Sequence, residues 1–233
     1  VEELGEEGGE NESLSRTMKE IMVTLDENGE PVRHSIPLEE ILQGCSFRDC
    51  IPSIDNPRFT SIGEADQWLL NNEPGVAFSR GGTSKFYPYQ VLVRHEIVND
   101  TVEGQRALIT YCPLCLTGIV FDPVVQGERV EFGTSGKLWN SNLVMYDRKT
   151  DTYWSQSGGK TIVGELTGMQ LMPVSLETVT WRDWKVAHPD SEVLSQDTGF
   201  QRSYGSDPYA NYFEDSFLIF PVENQDDRIP NKE

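Results

Sequence analysis

The chain has 233 residues, enough for one large domain or two small ones with a buried core. Its 37% hydrophobic and 10% aromatic content suits a globular protein and excludes a wholly disordered one. A formal net charge of −19 repels phosphate backbones, so no nucleic-acid partner is expected. No apolar run reaches the roughly 18 residues of a transmembrane segment.

Part of the charge is local. Six glutamates and three glycines fall within "VEELGEEGGENE", residues 1–12. Residues 1–16 therefore read as a flexible acidic tail, and 17–233 as a single globular domain. The chain begins at Val1, with no charged n-region and apolar h-region. That suits an exported protein after removal of its signal segment and a trimmed cytoplasmic one equally.

After the tail, "MVTL", "DENGE" and "PVRHSI" predict a hairpin turning at Asn28-Gly29. "IPLEEILQG" predicts a short helix stopped by Gly44. The next loop, "GCSFRDCIP", carries Cys45 and Cys50 with only four residues between them. It reads as a small structural disulfide, worth on the order of 2 kcal/mol at most; two free loop thiols are the alternative. A disulfide here would place the protein outside the cytoplasm. "TSIGEADQWLLNNEPG" predicts a short helix capped by Thr60 or Ser61 and ending before Pro74.

Strands then dominate. "GVAFSRGGTSKFYP" predicts a hairpin with a Gly81-Gly82 turn, while "YQVLVRHEIVND" fits neither the helical nor the strand period. "TVEGQRALITYC" carries a turn at Glu103-Gly104 and then a buried strand. "LTGIVFDPVVQGERVEFG" and "NLVMYDRKTDTYWSQ" each read as strand, turn, strand. "SLETVTWRDWKVAHPD" gives the strongest helical pattern, capped by Ser175 or Thr178 and stopped at Pro189. "SEVLS" returns to strand, and "FLIFPV" is a buried strand at most. The fold class is therefore mainly β (α+β), an antiparallel β-meander or barrel-like sheet with a few short helices.

"ITYCPLCLTGIVFD", residues 109–122, holds the other two cysteines, Cys112 and Cys115. A thioredoxin-like dithiol needs its first cysteine at a helix start, where the helix N-terminus lowers its pKa. The β-branched and aromatic run after Cys115 reads as strand, so the fold is not thioredoxin-like and the pair sits at a strand–turn–strand corner. A zinc site needs four ligands. Of the three histidines, His34 and His188 are expected at the surface, which leaves zinc short of ligands. Copper needs fewer and softer ligands, and Cys112, Cys115 and His95 would suffice. Met145 offers a thioether, although its neighbours Leu143 and Val144 mark it as a core strand residue. Trp139, Tyr146, Tyr153 and Trp154 read as core and rim of the sheet. "SGGKT" lacks the first glycine of a phosphate loop, and "EFGTSG" lacks the spacing of a nucleophile elbow.

Several blocks occur together and in order: "DCIPSIDNPRF", "YPYQVLVRHEIVNDTVEGQRALITYCPLCLTGIVFD", "FGTSGKLWNSNLVMYDRKTDTYWSQ", "TWRDWKVAHPDSEVLS" and "DPYANYF". In this combination the chain resembles domain-of-unknown-function family 3179, of bacteria and archaea, over roughly residues 48–230. The resemblance implies no reaction. It implies that His95, Cys112 and Cys115 belong to one signature with Ser135, Asn140 and Ser141, and with Trp154, Ser155 and Gln156. Cys45 and Cys50 depart from the family pattern, which supports a local disulfide. Longer members continue past "DRIPNKE".

The sequence thus predicts an exported metal-binding or redox protein. Cys112, Cys115 and His95 would be its ligands, copper ahead of zinc, with Met145, Ser135, Asn140 and Ser155 on the site rim. It would be extracytoplasmic (periplasmic, cell-surface or secreted), tethered through its tail, and would meet an electron-transfer or metal-delivery partner. One alternative is a metal-free thiol–disulfide protein with Cys112 attacking and Cys115 resolving. The other is a structural or binding module with a non-catalytic C-x-x-C. Whether the protein is an enzyme stays open at this stage.

Overall fold

The computed structural model describes residues 22–26, 28–209, 212 and 218–223. The acidic tail expected over 1–16 lies outside the described residues.

The strand Gln105–Cys112 sets the layering. Its side chains alternate between two cores. Ala107, Ile109 and Tyr111 pack with Val76, Phe78 and Tyr87. Leu108 and Cys112 pack with Phe132, Met145 and Trp154. A strand buried on both faces must be apolar at nearly every position, hence the run "ALITYC". Its four-stranded sheet runs in the order Met172–Val174, Thr117–Asp122, Gln105–Cys112, Ile97–Val102 and forms the middle layer.

On one side lies a five-stranded sheet: Glu177–Thr180, Pro74–Arg80, Thr83–Pro88, Glu192–Leu194 and Phe59–Thr60. The approach is close beside the cysteine turn, where a Cβ on Gly118 would come within 2.5 Å of Val76 Cγ2. On the other side lies a seven-stranded sheet. It contains the Met22–Leu25/Pro31–His34 hairpin and the strands Lys160–Val163, Tyr153–Ser155, Asn142–Asp147, Phe132–Trp139 and Ile41–Gln43. Pairing is antiparallel throughout the named strands of these sheets except between Glu192–Leu194 and Thr83–Pro88. The protein is thus mainly β, with antiparallel sheets, one curled into a half-barrel, and few short helices.

The predicted hairpins form where turn residues direct them. Met22–Leu25 pairs with Pro31–His34, and Gly29 has φ 83° in the turn. Pro74–Arg80 pairs with Thr83–Pro88 across Gly81-Gly82. Ser61 caps the helix Ile62–Ala65 through a reciprocal capping box with Glu64.

Four expectations need correction. "IPLEEILQG" is a single 3-10 turn, Leu38–Glu40, followed by the strand Ile41–Gln43; pairing with Lys137–Trp139 overrides the helical propensity of Leu and Glu. The helix expected over "SLETVTWRDWKVAHPD" begins only at Trp181, capped by Thr180. Its first half is the strand Glu177–Thr180, where β-branched residues pair with Pro74–Ala77. "FLIFPV" forms no strand over its described residues 218–222. His34, expected at the surface, is buried and hydrogen-bonds the Ile36 carbonyl through Nδ1 at 2.8 Å. The ambiguous "YQVLVRHEIVND" holds two elements, the helix Tyr89–Leu92 and the strand Ile97–Val102, so no single period fits it.

If the middle sheet is buried on both faces, Leu108→Ala and Ile109→Ala should each cost about 2–5 kcal/mol in urea unfolding. Val186→Ala, at a position 77% exposed, should stay within about 0.5 kcal/mol. A small effect at either core position would refute the two-sided core.

Candidate functional site

The middle sheet ends in the two cysteines. Strands Gln105–Cys112 and Thr117–Asp122 are antiparallel neighbours whose last pair is Cys112 with Thr117. The four residues between them make the turn. Pro113–Cys115 is a 3-10 turn with proline at its start, where a missing N–H is harmless. Leu116 has φ 49° and swings the chain back into the sheet. The strand–turn–strand corner read from the sequence is therefore present. Cys112, the last strand residue, points into the core at 1% exposure, and Cys115 is exposed on the turn. Both are free thiols. Cys45 and Cys50 form a disulfide with Cα atoms 6.4 Å apart.

Residues distant in sequence surround the Cys115 sulfur. Asn142 Nδ2 donates to Sγ at 3.1 Å and to Gln156 Oε1 at 2.8 Å. The Ser157 N–H donates to Asn142 Oδ1 at 2.9 Å, so the amide oxygen is engaged and the NH₂ group must face the sulfur. Gln156, fully buried, donates to Thr110 Oγ1 and to the Thr117 carbonyl, both at 3.0 Å. This network fixes a donor against the sulfur before any reaction. The Cys112 S–H, with Thr117 and Asn142, stabilises a thiolate at Cys115 and brings its pKa down to about 6. The same bond, burial and the nearby negative charges of Cys115 and Glu96 push the Cys112 thiol well up. The accessible, activated sulfur is thus the second cysteine, the reverse of the order expected from sequence.

Glu96 was not anticipated. It occupies the turn between the helix Tyr89–Leu92 and the strand Ile97–Val102 with φ 60°. Its N–H donates to the Leu92 carbonyl at 2.6 Å, and its carbonyl accepts from the Tyr111 N–H at 2.8 Å. The side chain is buried and lines a cavity of about 70 Å³ with Leu114 of the cysteine turn, Tyr209 and the Cys45–Cys50 disulfide. Burial, and then the charge at Cys115, raise its carboxyl to about 8.

His95 faces elsewhere. Its Nδ1–H donates to the Pro52 carbonyl at 2.8 Å, and Nε2 accepts from the Tyr204 hydroxyl at 2.7 Å. A carbonyl can only accept, which sets the tautomer. Tyr204 is linked on to Thr198 at 2.6 Å. Burial lowers the His95 pKa to about 4, so the ring is neutral. It braces the loop at Pro52 against the loop at 198–204, and neither nitrogen is directed at the sulfurs. Among the described residues, no group of three or more His, Cys, Asp or Glu side chains is arranged to hold a metal ion.

The expected rim residues are dispersed. Met145 is fully buried in the core that contains Cys112 and Trp154. Ser135 Oγ donates to the Val144 carbonyl at the irregularity between Thr134 and Lys137. Asn140 Oδ1 accepts from the Glu223 N–H at 2.8 Å, and Ser155 Oγ lies 3.3 Å from Ser157 Oγ. The signature blocks do reach the site, through neighbouring residues. The Ser141 carbonyl is 3.8 Å from Cys112 Sγ, and Gln156 anchors Asn142. Asn142 could have been flagged in sequence as a polar residue opening the otherwise apolar "NLVMY". Backbone strain marks the same region: Glu96, Leu116, Asn140 and Ser141 are all non-glycine residues at positive φ.

The family described as "Protein of unknown function (DUF3179)" matches residues 48–233. No curated protein and no solved structure matches the chain.

Iodoacetamide should label Cys115 with a pH midpoint near 6, while Cys112 stays protected below pH 9. Asn142→Ala should move the midpoint up by about 1–2 units, the worth of one hydrogen bond to a charged group. A wild-type midpoint at or above the ordinary thiol value, about 8.5, would remove the activated thiolate. Because its folded pKa is raised, Glu96 contributes stability that is complete below pH 4.5 and is lost as pH rises through about 8. Glu96→Gln should therefore flatten the fall in melting temperature between pH 5 and 8, at about 2–4 °C per kcal/mol. An unchanged slope would refute the assignment.

Proposed function

The chain belongs to the DUF3179 family, described as of unknown function, and we propose that it is a thiol–disulfide exchange protein in which Cys115 attacks and Cys112 resolves. One observation carries this reading: a single turn holds an exposed sulfur with hydrogen bonds to its thiolate beside a buried thiol.

The Cys115 thiolate attacks one sulfur of a substrate disulfide, forming a mixed disulfide and releasing one substrate thiolate. Cys112 then loses its proton and attacks Cys115 Sγ, releasing the second substrate thiolate. The substrate gains two electrons, and the protein is left with a Cys112–Cys115 disulfide. An external dithiol partner, oxidised in turn, restores the reduced form; this is the electron-transfer partner that the sequence suggests. Run backwards, the same steps oxidise a substrate dithiol.

The second step needs a base, since Cys112 is the less acidic thiol. Glu96 fits that role. Burial, with the Cys115 charge added to it, holds the Glu96 carboxyl protonated while Cys115 is a thiolate. Formation of the mixed disulfide removes the Cys115 charge, the lesser of the two causes, and so makes Glu96 more acidic at the step in which Cys112 must lose its proton. The small cavity that Glu96 lines has room for a water to take up its proton. The Cys45–Cys50 disulfide supports an extracytoplasmic location, where such exchange operates.

Trapping tests the order of attack. Exposed to oxidised glutathione, Cys112→Ser should accumulate a mixed disulfide on Cys115, visible by mass, while Cys115→Ser should accumulate none on Cys112. Wild-type protein should pass to the internal disulfide. Glu96→Gln should slow resolution about 10²-fold, within the range for a positioned acid–base group, and remove a pH dependence of that step that lies below 8, since the mixed disulfide lacks the Cys115 charge. Equal trapping on both cysteines, or none, would defeat the reading. Metal analysis of protein purified without chelator, beside Cys112→Ser, tests the copper reading of the same sulfurs: stoichiometric metal lost in the variant would favour it.

A further inference from the structure

On the other side of the cysteine turn lies a larger cleft, about 410 Å³. Leu116, the residue after the exposed Cys115, lies at its edge, and Tyr111, whose side chain faces away from Cys112, lies in its wall, so the cleft opens one residue from the exposed sulfur. Trp68, Tyr89 and Tyr111 form an aromatic wall, with the two tyrosine rings 4.1 Å apart. Leu70 and Leu116 expose apolar surface at its lip, at 69% and 50%. Two carboxylates, Glu73 and Asp207, complete the lining, which holds no Lys, Arg or His among the described residues. Arg94 borders it, but donates to the Ser206 carbonyl at 2.8 Å and to its hydroxyl at 3.0 Å and so holds the loop that carries Asp207. Glu73 accepts from the Gln90 N–H at 3.1 Å, which fixes its carboxylate at the wall.

The half-buried Trp68, backed by the two buried tyrosines and set beside two carboxylates, suits a cation carried on an apolar stem. The chain's charge of −19 attracts such groups and repels anionic ones. We infer that the cleft is the substrate subsite of the dithiol, and that it takes a polypeptide segment in which a cysteine is flanked by leucine-like and basic side chains. The inference rests on the exchange reading for the chemistry, and on the cleft alone for binding. Leucine-like side chains would cover Leu70 and Leu116, and a lysine or arginine would reach between the aromatic wall and the carboxylates. An anionic thiol such as glutathione would react without using the subsite.

Two arms separate the subsite from the exchange chemistry. In the binding arm, calorimetry compares the unreactive peptides Arg-Leu-Ser-Leu-Arg and Glu-Leu-Ser-Leu-Glu, both capped at their ends, on the whole chain. The basic peptide should bind at least roughly tenfold more tightly. That preference should shrink to about twofold in Glu73→Gln/Asp207→Asn and in about 0.5 M salt. A matching urea midpoint establishes that the double variant is folded. Equal binding of the two peptides, or a preference that survives the double variant, would overturn the subsite. In the kinetic arm, the same peptides with cysteine in place of serine, activated as mixed disulfides, react with the protein. The basic one should modify Cys115 faster by a similar factor. Selective binding with no reaction at Cys115 would leave the cleft standing and remove the exchange reading.

Discussion

The burial of Gln105–Cys112 between two cores constrains everything near its end. A strand packed on both faces cannot shift register without moving an entire side-chain set out of its core. Cys112 is therefore held against Trp154 and Met145, and the next residues must turn back within one hairpin. Pro113 and the left-handed Leu116 make that turn tight enough to bring the second sulfur to the surface beside the first. One thiol is dry and one wet because a two-sided strand ends there.

The electrostatics follow from crowding three acidic groups in one corner. Cys112, Cys115 and Glu96 each become anionic on losing a proton, and a low-dielectric corner favours one negative charge over several. Asn142, Thr117 and the Cys112 S–H all stabilise charge at Cys115, so it settles there. Glu96 is raised by its burial and then by that charge, and Cys112 by its bond to Cys115, its burial and then that charge. Under the proposed exchange, moving the charge away from Cys115 relaxes its share of both shifts. His95 takes no part in that balance. Held neutral between Pro52 and Tyr204, it ties two loops together beside the Glu96 turn, a positioning role suited to a buried, satisfied imidazole.

Much of the fold was legible locally. Asn28-Gly29, Gly81-Gly82 and Glu103-Gly104 each mark a turn that the chain adopts, because positive φ is a property of the residues themselves. The misreadings fall where distant pairing decides. Ile41–Gln43 is strand only because Lys137–Trp139 lies alongside, and Glu177–Thr180 because Pro74–Ala77 does. The geometry of His95, expected as a metal ligand, was not legible for a different reason. Seventeen positions separate that residue from Cys112, and linear proximity does not record that its ring turns toward Pro52 while the next residue, Glu96, lies close enough for its charge to act on the sulfurs.

The sequence by itself determined that two thiols share one turn between strands and that no long helix follows them. Those are consequences of a proline, a two-residue spacing and β-branched flanks, all local. Only the tertiary structure decided which sulfur is activated. Asn142 reaches Cys115 from 27 positions along the chain, and Gln156, which orients Asn142, holds Thr117 from 39. A thiol's acidity is set by its burial and by the donors that surround it, and both come from the packing of separate sheets rather than from the order of residues in the turn.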